Sequence, residues 1–385
     1  MTVYDKTVVV LGAAGSVGSE AVRQLSKRGS FTNIILADRN IDITQRLAQE
    51  IGGEATQIDV TDRPALKDLI KQASVVLNAA GPFFRYGTEV IHSAIESRIP
   101  YADVSDEEEP ILELFSTSDI DQIAKEAGVP VVVGLGTSPG LTNILTRHGA
   151  QEFDTVDSVQ IALVTGPWTR GTAVWAHHLH AHSGDTTIYR NGDWIQVPAM
   201  SEEEVITFPW SPGRGQVHIV SHPEPLTLPR FFPGIQEVVF KLGHPEYVNQ
   251  LYRDLIRYGL TSETPVDCGV GEMSPADYVA AYLSTDQADQ VFGFSKLKPY
   301  SVRQIRIAGQ RDGRPLNLRY QVAMKGGPIE TALPLVIAGE LLADGFIPPG
   351  LFPPEALDPA PFLRAFPELG ARSWLIREEE PPALS

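Results

Sequence analysis

Short apolar runs alternate with amphipathic stretches over the first third of the chain. Val- and Ile-rich runs fall at 7–11, 33–37, 55–58, 74–78, 100–102 and 130–134. They are too short for helices and lack polar alternation, as expected of strands covered on both sheet faces. Between them, apolar positions recur at helical spacing near 16–28, 41–52, 62–71, 85–97 and 119–127. Alternating strands and helices with short loops predict right-handed crossovers and a doubly wound parallel sheet, an α/β architecture.

From about residue 154 the period drops to two, first in Val156-Asp157-Ser158-Val159-Gln160-Ile161-Ala162-Leu163-Val164. Strand-like pieces follow at 186–190, 194–197, 205–208, 216–220, 236–241, 301–310 and 316–324. Arg190-Asn191-Gly192-Asp193 and Arg311-Asp312-Gly313-Arg314 read as hairpin turns between them. Helical spacing returns at 246–258, 274–283 and 331–344, and a proline-rich segment follows. The pattern predicts three parts. Residues 1–140 form a Rossmann domain and 141–330 an α+β domain with a mixed or antiparallel sheet. Residues 331–385 form a helix and Pro-rich segment packed back on the first domain. The acidic, proline-containing tail Glu378–Pro382 reads as disordered.

The first apolar run leads directly into Gly12-Ala13-Ala14-Gly15-Ser16-Val17-Gly18, and helical spacing begins at once. Gly12 permits a sharp turn, Gly15 lets a pyrophosphate approach the main chain, and Gly18 lets the helix lie close on the strand. Ser16 and Val17 open the helix, where free N–H groups and the positive dipole end favour phosphate. The second strand ends in Asp38, 20 residues after Gly18, placed to accept from an adenosine ribose. The expected cofactor is therefore a nicotinamide dinucleotide. Asp38 repels a 2′-phosphate and favours NAD. Arg39 beside it would hold that phosphate or stack on adenine, which leaves NADP open.

Ligands of such sheets lie beyond the carboxyl ends of the strands. Asp59 and Val60 follow the third strand and are placed to flank adenine; alternatively Thr61 or Asp62 simply caps the next helix. Ala79, Ala80 and Gly81 follow the fourth strand and leave room for the cofactor, with Phe83 next to them facing a substrate. Tyr101-Ala102-Asp103 follows as the fifth strand end, and Gly136-Thr137-Ser138-Pro139-Gly140-Leu141-Thr142-Asn143 forms a second glycine-rich loop after the sixth.

Charge narrows the partners. A net charge of −17 with no basic run argues against nucleic acid. The single cysteine, Cys268, excludes an internal disulfide and a multi-cysteine metal cluster. No long apolar span or signal-peptide pattern is present, so the expectation is a cytoplasmic protein without a membrane partner.

The glycine loop, Gly81-Pro82-Phe83 with Tyr86-Gly87, Tyr101-Ala102-Asp103, the 136–143 loop, Pro225-Leu226-Thr227-Leu228-Pro229-Arg230 and Gly350-Leu351-Phe352-Pro353-Pro354-Glu355 together resemble the saccharopine dehydrogenase-like family. Lysine 6-dehydrogenase and bacterial saccharopine reductase-type proteins belong to it. The resemblance implies an NAD(P)-dependent oxidoreductase acting at a carbon–nitrogen bond of an amino-acid-like substrate, and a homodimer. Such a protein oxidises an amine to an imine or reduces the imine, and must manage one proton.

Asp103 is placed either to orient the amine and take its proton or to cap a loop. Tyr101 is a substrate donor or a core aromatic. Asn143 anchors a carboxylate or the nicotinamide amide, or starts a helix. In His177-His178-Leu179-His180-Ala181-His182, a strand puts His178, His180 and His182 on one face, whereas a helix puts only His178 and His182 there. Three imidazoles on one face suit zinc, but no completing ligand lies nearby except Asp185, and the resemblance needs no metal; none is expected. His178 or His182 is instead a candidate acid–base group. Arg170 and Arg230 are candidate clamps for a substrate carboxylate. His182, Ser183 and Asp185 lie too close in sequence for a hydrolytic triad, and no nucleophile elbow surrounds Ser183. Two other readings stay open: a dinucleotide-binding sensor or assembly subunit without turnover, and a carbonyl or enoyl reductase.

Overall fold

The computed structural model describes residues 6–117, 119–166, 171–269, 271–296 and 299–379. These fall into two compact units. Unit 1 holds the described residues of Met1–Ile144 and Pro328–Ala365, and unit 2 those of Leu145–Gly327 and Phe366–Ser385.

Unit 1 is built on the short apolar runs. They become β1 (Thr7–Leu11), β2 (Asn33–Asp38), β3 (Glu54–Gln57), β4 (Val75–Asn78), β5 (Tyr101–Asp103) and β6 (Pro130–Val132). With the strand Gly350–Phe352 they form a seven-stranded sheet, running β3-β2-β1-β4-β5-β6 and then Gly350–Phe352. Every pairing in it is parallel. The chain winds outward from β1 in one direction and then from β4 in the other, so a topological switch point lies between these strands. Val8 to Leu11, Val75 to Leu77, Val131 and Val132 are fully buried, which accounts for their unbroken apolar pattern.

The late helix Ile329–Ala343 belongs to this unit. Ala332, Leu333, Leu335, Val336 and Ala338 are fully buried, as expected for a helix apolar on most sides. A Cβ on its Gly339 would lie 2.9 Å from Leu77, so the missing side chain lets the helix seat closely on β4. It also packs along the helix Ser16–Arg28, where Arg28 Nε and Nη2 donate to the two Glu340 carboxylate oxygens at 2.8 and 2.9 Å.

Unit 2 holds a nine-stranded mixed sheet. Its first strands are β7 (Thr155–Thr165), β8 (Asp185–Arg190), β9 (Asp193–Pro198), β10 (Glu204–Thr207), β11 (Arg214–Ile219) and β12 (Glu237–Gly243). The main path is β10-β11-β12-β7, then Ser301–Arg311, Arg314–Met324 and Arg372–Glu379. β7 and β12 pair in parallel; the other pairings are antiparallel. Both expected hairpin turns form. Asn191 and Gly192 have φ of 55° and 79°, and Asp312 and Gly313 have 51° and 70°, the left-handed pairs that tight hairpins select. The helices Thr172–Ala181, Glu246–Arg257 and Pro275–Leu283 enclose a core around Trp175, Leu179, Tyr252 and Ala280.

Two segments depart from the sequence pattern. Glu224–Phe231 is a helix although Pro225 and Pro229 interrupt its periodicity. Of the tail read as disordered, Glu378 and Glu379 instead end a strand, with Glu378 opposite Asn317, and residues 380–382 lie outside the described residues. Pairing supplies backbone partners that its acidic composition does not reveal. Among the described residues, no helix is long and apolar enough to cross a membrane.

Candidate functional site

The glycine loop takes the geometry its sequence requires. Gly12 has φ +74°, and a Cβ there would fall 2.5 Å from the Ala79 carbonyl oxygen. A Cβ on Gly18 would lie 2.1 Å from the Gly12 oxygen, so only glycine lets the helix start so close to β1. Gly15 is exposed and is the N-cap of the helix Ser16–Arg28, with no side-chain cap on that helix. The N–H groups of Ser16, Val17 and Gly18 lie in the first turn, which offers them no intrahelical acceptor. An uncapped helix start behind an exposed glycine fits a pyrophosphate.

Asp38 ends β2 and ties this loop down. Its Oδ2 accepts from Ala14 N at 3.1 Å and its Oδ1 from Asn40 N at 2.8 Å. Arg39 is exposed, and its charge reaches Asp59. Asp59 is also exposed; bonds from the Thr61 backbone and hydroxyl hold its carboxyl below the usual range. Val60 is half-buried beside it, and Asp62 caps the helix Arg63–Ile70 by accepting from Ala65 N at 3.2 Å. Ala79, Ala80 and Gly81 are half-buried at the end of β4; Ala79 N donates to Leu11 O at 2.9 Å. Phe83 is buried at the first turn of the helix Phe83–Ser97.

The ends of β4 and β5 carry a closed polar network. Asn78 Nδ2 donates to the Tyr101 hydroxyl at 2.9 Å, which donates to Asp103 Oδ2 at 2.9 Å. Asp103 Oδ1 accepts from Ser105 N at 3.1 Å and Gly134 N at 2.8 Å. All three side chains are fully buried. Burial pushes the Asp103 carboxyl up to about 6, against the opposing pull of the Gly134, Ser105 and Tyr101 bonds. Burial, and then the Asp103 charge, push the Tyr101 hydroxyl well above its usual range, so it remains a donor. This is the geometry of the loop-capping alternative: the carboxylate holds the loops after β5 and β6 together.

Asn143 is likewise fully buried and internally engaged. Its Oδ1 accepts from Gly140 N at 3.0 Å, and its Nδ2 donates to Glu355 Oε2 at 2.9 Å. Thr137 Oγ1 donates to Glu330 Oε2 at 3.0 Å, which anchors the same loop to the helix Ile329–Ala343. Neither Glu330 nor Glu355 stands out in the sequence, because their partners lie about 200 positions away.

In unit 2 the histidine run is helical, so His178 and His182 share a face while His180 Nδ1 meets Glu263 Oε1 at 2.7 Å. The rings of His178, His182 and His244 lie 5.2 to 5.9 Å apart, centre to centre. Tyr252 stacks on His182 at 4.1 Å. His222 stacks on Phe240 at 3.8 Å, and its Nδ1 meets Glu224 Oε2. Burial, then the neighbouring His244, lower the His178 and His182 pKa values well below the ordinary histidine value; burial lowers that of His244 to about 4. His244 carries no sequence signal of its own. It follows β12, and only the parallel pairing of β12 with β7 and the fold of the helix Glu246–Arg257 bring it to the histidine run.

Arg230 lies over the Trp194 ring at 4.7 Å and donates to the Leu226 carbonyl. Burial lowers its pKa. Arg170 lies outside the described residues.

Comparison with known proteins extends this picture. Residues 8–132 match the saccharopine dehydrogenase NADP binding domain. A carboxynorspermidine synthase from Vibrio alginolyticus is 22% identical, with 97% of each chain covered. A carboxyaminopropylagmatine dehydrogenase from Synechocystis is 22% identical over 94% of this chain and 96% of its own. Apo saccharopine dehydrogenase (L-Glu forming) from Saccharomyces cerevisiae has a similar fold, with TM-score 0.69, 16% identity and coverage of 98% of this chain and 100% of its own. The matched residues 8–132 hold the glycine loop and the ends of β2, β4 and β5.

Proposed function

We propose that this chain is an NAD(P)-dependent oxidoreductase acting at a carbon–nitrogen bond of a small, amino-acid-like amine. The observation that carries the reading is the uncapped helix start behind Gly12, Gly15 and Gly18, inside a matched NADP-binding domain. The chain-long likeness to enzymes named for carboxynorspermidine and carboxyaminopropylagmatine supports the carbon–nitrogen chemistry.

The nicotinamide cofactor supplies hydride exchange when bound. The N–H groups of Ser16, Val17 and Gly18 hold its pyrophosphate, and Gly12 and Gly15 let it approach the main chain. Asp38 fixes the loop and faces the ribose, with exposed Arg39 beside it to meet a 2′-phosphate. Asp59, Val60, Ala79, Ala80 and Gly81 border the dinucleotide, and Phe83 supports that border from behind. Asp103, Tyr101 and Asn143 act as positioning residues, since each is spent on hydrogen bonds that hold the strand-end loops. His178 and His182 handle the proton: burial keeps their rings neutral, as an acceptor must be. Arg230, stacked on Trp194, is the candidate carboxylate partner, with Arg170 a second. A cytoplasmic homodimer completes the reading, and sedimentation equilibrium checks its oligomeric part.

The direct test is titration of the protein with NADPH and NADH, read by tryptophan fluorescence, followed by an assay of secondary and primary amines with the oxidised cofactor. Dinucleotide binding with amine-dependent reduction of the cofactor is expected. Binding without turnover on any amine would favour the sensor reading, and absence of binding would remove the basis of the proposal.

A further inference from the structure

His182 and His244 are locked in one tautomer by the backbone. His182 Nδ1 lies 2.7 Å from the His178 carbonyl, and His244 Nδ1 lies 3.2 Å from the Thr165 carbonyl. A carbonyl only accepts, so both Nδ1 atoms carry the hydrogen and both Nε2 atoms present bare lone pairs. These two Nε2 atoms are buried without a partner, as is Nδ1 of His178. His182 is 1% exposed and His244 5%. His182 and His244 therefore each lack a donor, and Nδ1 of the neighbouring His178 lacks a partner, although buried polar atoms of folded proteins are almost always paired.

The missing group must donate. An anion is excluded at His182 and His244, whose Nε2 atoms offer only lone pairs. A shared metal ion does not suit the arrangement, since these nitrogens do not all lie within 4.8 Å of one another. A hydroxyl donates once, whereas a primary ammonium donates three times. Its charge also suits an aromatic neighbour. Tyr252 presents its ring 4.1 Å from His182 and 5.5 Å from His244, and aromatic faces attract cations.

We propose that His178, His182 and His244 form a subsite that receives a primary ammonium group. Calling that ammonium part of the substrate rests on the carbon–nitrogen reading above; the subsite itself does not. Burial supports it by keeping the three rings neutral and able to accept. His177 and His218 are the other ionisable groups whose charges act on these rings.

The test uses the full chain with isotope-labelled histidine, titrated at neutral pH with propylamine and, separately, with propanol and Zn²⁺, while the imidazole nitrogen signals are followed by NMR. Propylamine should shift the Nε2 signals of His182 and His244 saturably, and propanol should not. His178→Gln, at the least buried of the three rings, should weaken the propylamine response about tenfold, the loss of one hydrogen bond to a charged group. The wild-type titration stands even if that variant does not fold. Unmoved signals, an equal response to propanol, or a response to Zn²⁺ alone would overturn the subsite. Dinucleotide binding is measured on the same sample. Shifted imidazoles without dinucleotide binding would sink the dehydrogenase reading and leave the subsite standing; the converse would sink only the subsite.

Discussion

Gly15 and Gly18 look equivalent in sequence but answer to different forces. Gly18 is limited by packing: an added Cβ would overlap the Gly12 oxygen at 2.1 Å. Alanine is favoured over glycine inside a helix by about 1 kcal/mol, but forcing a methyl into packed backbone costs about 1–3 kcal/mol. At 2.1 Å the overlap wins, so Gly18→Ala should lower stability by about 2 kcal/mol. Gly15 has φ −72° and ψ 168°, open to any residue, and a Cβ there meets only the Gly12 oxygen at 3.2 Å. Gly15→Ala should leave stability within about 1 kcal/mol yet weaken NADPH binding about tenfold or more, because the methyl occupies the phosphate approach. Urea unfolding and fluorescence titration of both variants separate the two roles. Equal behaviour in both assays would show that the loop does not meet a phosphate at Gly15.

At the scale of elements, Asp103 is the clasp between the loops after β5 and β6, and its ionisation carries a signed consequence. Its carboxyl titrates near 6 in the folded chain and near 3.8 when unfolded. Between those values the folded protein holds a proton that the unfolded chain has lost. This group's contribution to stability is therefore greatest at low pH and falls as pH rises through 6. An asparagine side chain stays neutral throughout, so the stability of wild type relative to Asp103→Asn should grow by about 1 kcal/mol from about pH 8 to about pH 5. Paired unfolding curves at the two pH values measure it, and the buried histidines, shared by both proteins, cancel. A difference of the opposite sign would mean that the folded site favours the carboxylate, as a catalytic base or cation partner requires. The elements themselves were unevenly legible. β1 to β6 announce themselves as unbroken apolar runs because both their faces are buried. The strand Gly350–Phe352 is three residues among prolines, and Arg372–Glu379 carries exposed Trp374 and Leu375 with an acidic end, so neither shows a strand period. The glycine loop was readable because all its parts are adjacent in sequence. The histidine site was only half readable, since His244 and Tyr252 join it through strand pairing and helix packing.

For the molecule as a whole, the chain crosses from unit 1 to unit 2, returns at Pro328 and leaves again at Phe366. Each unit is therefore closed by a segment remote in sequence. Unit 1 needs Pro328–Ala365 for its seventh strand and for the buried helix over β4; unit 2 needs Arg372–Glu379 to cover the edge of Arg314–Met324. A chain ended after Ala365 keeps all of unit 1 and loses the partner of residues 316–323 in unit 2. That exposes a long strand edge, which favours association and costs about 3 kcal/mol or more in lost ladder bonds and burial. The truncated chain should bind NADPH with unchanged affinity, show a lowered unfolding temperature for unit 2 in calorimetry, and self-associate in sedimentation. A chain ended before Pro328 should fail in the opposite way, losing the dinucleotide because β4 and β6 lose their covering helix and neighbouring strand. If ending the chain after Ala365 abolished NADPH binding as well, unit 1 would not be a self-sufficient dinucleotide-binding domain, and the glycine loop would depend on unit 2 for its geometry.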